Sequence, residues 1–284
     1  MNFQAVMLDF DGTITEPGVY EPLPDMASAL FEASQKVPVS FCTGRQLESF
    51  LDHGLNFILA AMPRQKHLPF LRNLHLIAEN GSIGYYFDPN KEEFVEFFRV
   101  KWPTHFIDRD FLMKELEREI AEFGDLYYNA HRVIIVMRTN LHRDPNRTFE
   151  AVSALSDKIY DCSRDYMMRV DPNYSQYLNI GNSGIGVLLC PSNGDKDNGI
   201  KMFAQYLSDT QGTQFASDEA REILVIGDRP KPCGNDHMFL KGLYGTPYTV
   251  GNIVEGAEYP YIVEKDGQRL VHTEGTKFLL SSLL

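Results

Sequence analysis

The chain has 284 residues and a formal net charge of -12, with 43% hydrophobic and 23% charged residues. This is the composition of a globular protein long enough to bury a substantial core, in one large domain or two ordinary ones. The acidic balance argues against a nucleic-acid or anionic-membrane partner, and no window approaches the roughly 18 uninterrupted apolar residues of a membrane-spanning helix.

Residues 5–8, Ala-Val-Met-Leu, predict a short buried strand. Asp9 then stands at its carboxyl end, the edge of an open α/β sheet where ligands bind. Gly12 permits a sharp turn there, and Thr13 can bond its own backbone. Asp9 and Asp11, with one residue between them, repel each other unless a positive group lies between the carboxylates. A hard cation such as Mg²⁺, with its preference for oxygen ligands, suits such a pair.

Asp9-Phe10-Asp11-Gly12-Thr13 resembles the first motif of the haloacid dehalogenase superfamily of phosphohydrolases. The resemblance implies that Asp9 is a nucleophile that becomes an aspartyl phosphate. It implies that Asp11 protonates the leaving alcohol and later activates water, and that three further motifs follow.

A loop over residues 16–24 precedes a helix in which Met26, Ala29, Leu30 and Ala33 recur at helical spacing after Pro24-Asp25. Residues 37–42 predict a second strand, ended by Thr43-Gly44-Arg45. Leu47, Phe50, Leu51, Leu55, Ile58 and Leu59 continue as an amphipathic helix. Strand, Thr-Gly and helix bring a hydroxyl and backbone N–H groups together at a helix N-terminus, which suits a phosphate. The stretch resembles the family's second motif, which implies that Thr43 and Gly44 hold phosphate. Arg45 either contacts phosphate or pairs with a surface Glu. Residues 74–78 predict a third strand, and the following Asn80-Gly81 resembles the point where one branch of the family leaves its core for a cap.

The pattern then changes. Aromatic-rich runs at 83–87 and 94–98 flank Asp88-Pro89-Asn90-Lys91 and read as a hairpin. Phe111, Leu112, Leu116, Ile120 and Phe123 mark a helix ending near Gly124, and residues 132–138 form the clearest strand of the chain. Phe149, Val152, Leu155 and Ile159 predict a further helix, and residues 166–170 and 177–180 two further strands. This α+β stretch resembles the large C2-type cap of the branch that contains many sugar phosphatases and the phosphomannomutases. Candidate substrate contacts on it are His131, Arg132, Arg138, Tyr174 and Gln176.

Residues 185–190 predict a strand leading to Pro191-Ser192-Asn193-Gly194-Asp195-Lys196, followed by a helix with Ile200, Met202, Phe203 and Tyr206. Lys196 stands where the family's third motif places a lysine whose charge offsets that of nucleophile and phosphate. Related sequences put Gly directly after that lysine; here Asp197-Asn198 intervene before Gly199, so Lys201 competes for the role. Residues 208–220 read as a helix tail and a loop. Residues 222–228 give a second strand ended by a carboxylate, Gly227-Asp228, on the same sheet edge as Asp9. This resembles the fourth motif and implies that Asp228 binds Mg²⁺. Asn235-Asp236 comes late, after Arg229-Pro230-Lys231-Pro232-Cys233-Gly234. That longer loop either retracts Asn235 and Asp236 or folds them over the metal. Residues 243–250 and 261–263 suggest two short strands, and residues 275–284 a closing helix.

Cys42, Cys162, Cys190 and Cys233 form no C-x-x-C pair, so neither zinc nor a disulfide framework is expected. Reduced thiols and a start without a basic, apolar leader point to a cytoplasmic protein. The expected fold class is α/β: a doubly wound, mainly parallel Rossmann-like core from residues 1–82 and 188–284, with an inserted α+β cap over residues 83–187. The expected function is Mg²⁺-dependent hydrolysis of a small phosphorylated metabolite, by resemblance a sugar phosphate. Asp9, Asp11, Thr43 and Lys196 would be catalytic; Thr43, Gly44, Lys196 and Asn235 would bind phosphate; Asp9, Asp11, Asp228 and Asp236 would hold the metal. Two alternatives stand beside it: a phosphosugar mutase of the phosphomannomutase kind, which keeps the phosphate on its substrate, and a non-catalytic binding protein on the same fold.

Overall fold

The computed structural model describes residues 3–128, 131–137 and 146–283. The chain runs through β1 (Ala5–Leu8), β2 (Val39–Cys42), β3 (Leu74–Ala78), β4 (Ile83–Asp88) and β5 (Glu93–Arg99). It continues through β6 (Gly124–Tyr128), β7 (Val133–Met137), β8 (Leu178–Asn182) and β9 (Gly186–Pro191), then β10 (Ile223–Gly227), β11 (Thr246–Thr249) and β12 (Tyr261–Ile262). An eight-stranded sheet has the order β12-β11-β10-β1-β2-β3-β4-β5. Its first six members are parallel, while β4 and β5 add antiparallel at one edge.

Every residue of β1 is buried. Val6 and Leu8 face one layer, with Met26, Leu30, Phe50 and Phe70 from the helices around 24–71. Ala5 and Met7 face the other, with Ile200, Phe203 and Leu207 from the helix Lys196–Gln211. Two covered faces explain why β1 is a continuous apolar run rather than an alternating one. From β1 the chain steps outward to β2 and β3; its return begins on the other side of β1 with β10. The order reverses between β1 and β10, and the crevice at such a reversal lies beyond the carboxyl ends of the strands. Asp9 and Asp228 follow those two ends directly.

The insertion has its own sheet, β6-β7-β9-β8, antiparallel throughout. Val133, Ile135, Met137, Val187 and Leu189 turn one face of it toward the helices Arg109–Ile120 and Phe149–Val170.

The structure departs from the sequence-based expectations in four places. The 83–98 hairpin belongs to the large sheet, because β3 offers an open edge that β4 pairs from His75↔Tyr86 to Ala78↔Ile83. The strand at 185–190 belongs to the inserted sheet, between β7 and β8, so the change from insertion to core falls after β9. Residues 166–170 are the last turn of the helix Phe149–Val170, whose buried Val152, Ser156, Ile159, Ser163, Tyr166 and Met167 keep a helical spacing to its end. The helix expected from Leu47 to Leu59 is interrupted by a π-turn over Leu51–Leu55. Among the described residues no helix is long and apolar enough to cross a membrane.

Phe10, between the two first-motif carboxylates, is fully buried with Phe41 and Phe50; the three ring centroids lie 5.5 to 5.8 Å apart. Phe41→Ala removes the shared wall of this cluster. It should cost about 3–5 kcal/mol of stability in urea unfolding at unchanged denaturant dependence; a loss under about 1 kcal/mol would show that the cluster does not brace the β1 end.

Candidate active site

The Lys196 ammonium lies between two carboxylates. Its Nζ is 2.6 Å from Asp9 Oδ1 and 2.5 Å from Asp236 Oδ1, and all three residues are buried. Asp236 Oδ2 accepts the backbone N–H groups of Asp228 and Arg229 at 3.0 and 3.2 Å. Both oxygens of Asp236 are therefore engaged by the chain's own donors. Carboxylate oxygens of Asp9, Asp228 and Asp236 lie within 4.8 Å of one another. The Asp228 carboxylate rests over Gly12, where a Cβ would stand 2.5 Å from its Oδ2 and where φ is +79°. Only glycine fits both the space and the conformation.

Three carboxylates share one ammonium, and their titration reflects the excess. Burial, then Asp236, pushes Asp9 up to about 7. Burial, then Asp236 and Asp9, raises Asp228 well above the usual carboxylate range. Burial also acts upward on Asp236, but Lys196 and the two backbone N–H groups outweigh it and hold that carboxyl below its usual range. An all-oxygen cluster with uncompensated negative charge is the donor set a hard divalent cation takes. The residues present fit such an ion.

Asp11 turns the other way. Its carboxylate is 46% exposed and held by Arg45, with Nη2 at 2.6 Å from Oδ1 and Nε at 3.3 Å from Oδ2. Arg45 also lies 4.7 Å above the Phe10 ring and donates to the His53 carbonyl. Of the two roles left open for Arg45, the structure thus shows an ion pair, with an acid of the first motif. The Thr43 hydroxyl is buried and accepts the Arg45 N–H at 3.2 Å. Gly44 is covered by the insertion: a Cβ there would stand 3.0 Å from Leu188 Cδ2 and 3.6 Å from Arg132 Nη1. Close approach of the inserted sheet is the structural reason for this glycine. Lys201, on the same helix, is exposed, whereas Lys196 is fully buried.

The long loop folds onto the insertion. Asn182 at the end of β8 donates its N–H to the Cys233 carbonyl at 2.8 Å and accepts the Asn235 N–H at 3.1 Å and Arg229 Nε at 3.1 Å. Loop and insertion thus hold Asn235 and Asp236 inward, and Asn235 is 9% exposed. A cleft of about 160 Å³ lies beside it, lined by Asn80, Tyr174, Asn179, Asp195, Asn235 and His237 among others.

Among the candidate contacts on the insertion, Arg132 is fully buried with its Nε 3.8 Å from Glu79 Oε2. His131 contacts Arg99, Tyr174 lines the cleft and Gln176 is exposed. Arg138 lies outside the described residues. Sequence reading missed Glu79, Asn80 and Asp195. Only Asp195 carried a local signal, an acid directly before the first helical residue.

The fold is similar to those of several solved structures. An IMP-bound mutant of the Plasmodium falciparum IMP-nucleotidase matches with a TM-score of 0.63 at 13% identity, over 99% of this chain and 68% of that one. A haloacid dehalogenase-like hydrolase from Bacteroides thetaiotaomicron matches with a TM-score of 0.59 at 14% identity, over 99% and 100%. The C-terminal domain of the C. albicans trehalose-6-phosphate phosphatase matches with a TM-score of 0.60 at 12% identity, over 99% and 92%. No protein-family model matches the sequence, and no curated protein does.

Asp9, held near 7 and so well above the usual carboxylate range, keeps a proton in the folded, metal-free protein that the unfolded chain has already released. Stability of the metal-free protein therefore falls as pH rises through that interval, while cation binding, which displaces the proton, tightens. The melting temperature without metal should drop between about pH 5 and pH 7.5, and Mg²⁺ should raise it more at the upper pH. A flat profile that Mg²⁺ does not alter would count against a cation at this cluster.

Proposed function

We propose that this chain, which has the fold of the haloacid dehalogenase-like hydrolases, hydrolyses a small phosphomonoester through an aspartyl phosphate on Asp9. The observation that carries the reading is the Lys196 ammonium bridging Asp9 and Asp236 at the strand reversal, beside Asp228. Mg²⁺, held by Asp9, Asp228 and the backbone carbonyl of Asp11, would supply positive charge beside the phosphate oxygens. Asp236 is assigned to support, since its oxygens already hold Lys196 and the backbone at Asp228.

In the first half-reaction an oxygen of ionised Asp9 bonds to phosphorus, and the bond from phosphorus to the substrate oxygen breaks. Asp11 enters this step as the carboxylic acid and gives that oxygen its proton; the alcohol leaves, and the carboxylate formed is the one Arg45 pairs with. The Thr43 hydroxyl, which accepts the Arg45 N–H, has its proton to donate to a phosphate oxygen. Lys196 offsets the negative charge that would otherwise keep a dianionic phosphate from a carboxylate. In the second half-reaction Asp11 accepts a proton from water, the water oxygen bonds to phosphorus, and inorganic phosphate leaves as the Asp9 carboxylate is restored. Arg45 holds Asp11 at the mouth of the site, where both leaving alcohol and incoming water pass.

The substrate class we assign is a sugar phosphate or a similar small phosphorylated metabolite. The names of two neighbours in fold, an IMP-nucleotidase and a trehalose-6-phosphate phosphatase, support that size and chemistry. The inserted sheet lies over Gly44 and so roofs the proposed phosphate cradle, where its side chains can select the rest of the substrate.

Phosphate release should be measured across a panel of sugar phosphates and nucleoside monophosphates, with and without Mg²⁺. Asp9→Asn should lose release by at least about 10³-fold while melting no lower than wild type, since it removes charge from a crowded carboxylate cluster. Full activity in that variant would remove Asp9 as nucleophile. Wild-type protein that moves phosphate within a sugar phosphate without releasing it would turn the assignment to a mutase.

A further inference from the structure

The residue before Lys196 is held more firmly than a helix cap requires. A capping acid ordinarily bonds the N–H two or three residues on, from a solvated position. Asp195 is 5% exposed, and its Oδ1 accepts the N–H of Lys196 itself at 2.7 Å. The same oxygen accepts Asn80 Nδ2 at 3.0 Å, and Oδ2 accepts Asn179 Nδ2 at 2.9 Å. Burial pushes this carboxyl up to about 7, so each donor matters to it.

The two amides come from different bodies of the molecule. Asn80 sits in the turn after β3, with φ at +58° beside Glu79 at +49°. Left-handed backbone is uncommon for non-glycine residues and is kept where the surroundings impose it. Here it lets the Asn80 N–H bond the Thr43 carbonyl and the Glu79 N–H bond the Arg45 carbonyl, both at 2.9 Å, while the Asn80 side chain reaches Asp195. Asn179 belongs to β8 of the inserted sheet. One carboxylate therefore joins the start of the Lys196 helix, the turn that carries the Thr43 loop, and the insertion.

We propose that Asp195 is a positioning residue for Lys196, and that it holds the ammonium between Asp9 and Asp236 only while Asn179 of the docked insertion completes its hydrogen bonds. Docking of the inserted sheet thereby finishes the charge site as well as roofing it. The role in turnover rests on the hydrolase reading above; the placement of Lys196 does not.

Asn80→Gly and Asn179→Ala test it. Glycine takes φ near +58° without strain, so the first variant keeps the turn and removes only the amide. Amide hydrogen exchange at Lys196 is compared with that at Phe203 in the same helix, and kcat and KM are measured for the best substrate of the panel. Each variant should speed exchange at Lys196 by about tenfold relative to Phe203, and lower kcat by about tenfold with KM within about twofold. Adding Asn179→Ala to Asp195→Ala should cost nothing further, because both act through one carboxylate. Unchanged exchange and unchanged kcat in Asn179→Ala would overturn the coupling to the insertion. Additive loss in the double variant would overturn Asp195 as the shared link. A wild type that releases no phosphate would overturn the hydrolase reading, and the exchange measurement alone would then decide the placement of Lys196.

Discussion

One ammonium between two buried carboxylates is the interaction on which the site depends. Lys196 is fully buried, and its Nζ has Asp9 on one side and Asp236 on the other. Burying a charge is costly unless it is paired and hydrogen-bonded, and loss of the shared Lys196 would leave both carboxylates uncompensated, at a cost of about 3–5 kcal/mol. The geometry also stops short of neutrality. Asp228 adds a third carboxylate, and the pressure shows in the raised titration of Asp9 and Asp228. The chain thus builds a place where further positive charge is stabilised.

The sheet supplies the convergence. Parallel strands put all their carboxyl ends on one edge, and the reversal of strand order sets β1 beside β10. Asp9 and Asp228 become neighbours although 219 positions separate them in the numbering (228 − 9). Phe10 anchors the turn between Asp9 and Asp11 in the aromatic cluster below, so the two acids diverge. Asp9 goes inward to Lys196 and Asp11 outward to Arg45. The same motif thereby yields one buried and one accessible carboxylate, a division that suits a nucleophile and a proton carrier.

The insertion is held against this edge by apolar and polar contacts together. Leu188 and Arg132 cover Gly44, Glu79 faces Arg132, and Asn182 pairs with the loop that ends in Asn235 and Asp236. The residues that lengthen the fourth motif are the ones that reach β8. An irregular loop is thus fixed by the edge strand of another sheet, whose unpaired backbone groups it satisfies.

By itself the sequence determined the strand ends and which polar residues stand there. The apolar runs before Asp9, Thr43 and Asp228 are dense enough to read as doubly covered strands, and Asp-x-Asp-Gly-Thr, Thr-Gly and Gly-Asp are local patterns whose meaning lies within a few residues. The order of those patterns also singled out Lys196, although Lys201 sits one turn away on the same helix. Tertiary structure decided what depends on partners distant in the chain. The 83–98 hairpin joined the core because β3 had an open edge, which no local pattern records. The 185–190 strand joined the insertion because β7 and β8 flank it there. Asp236 turned inward because a loop of irregular sequence found β8, and Arg45 chose Asp11 because the β2 loop passes beside the β1 turn. Asn80, Asn179 and Asp195 are common polar residues in ordinary places, and only burial together made them one network. Hydrophobic periodicity and turn chemistry act over a few positions and are written in the chain; pairing of edges and satisfaction of buried charge act through space and are settled only when the chain has folded.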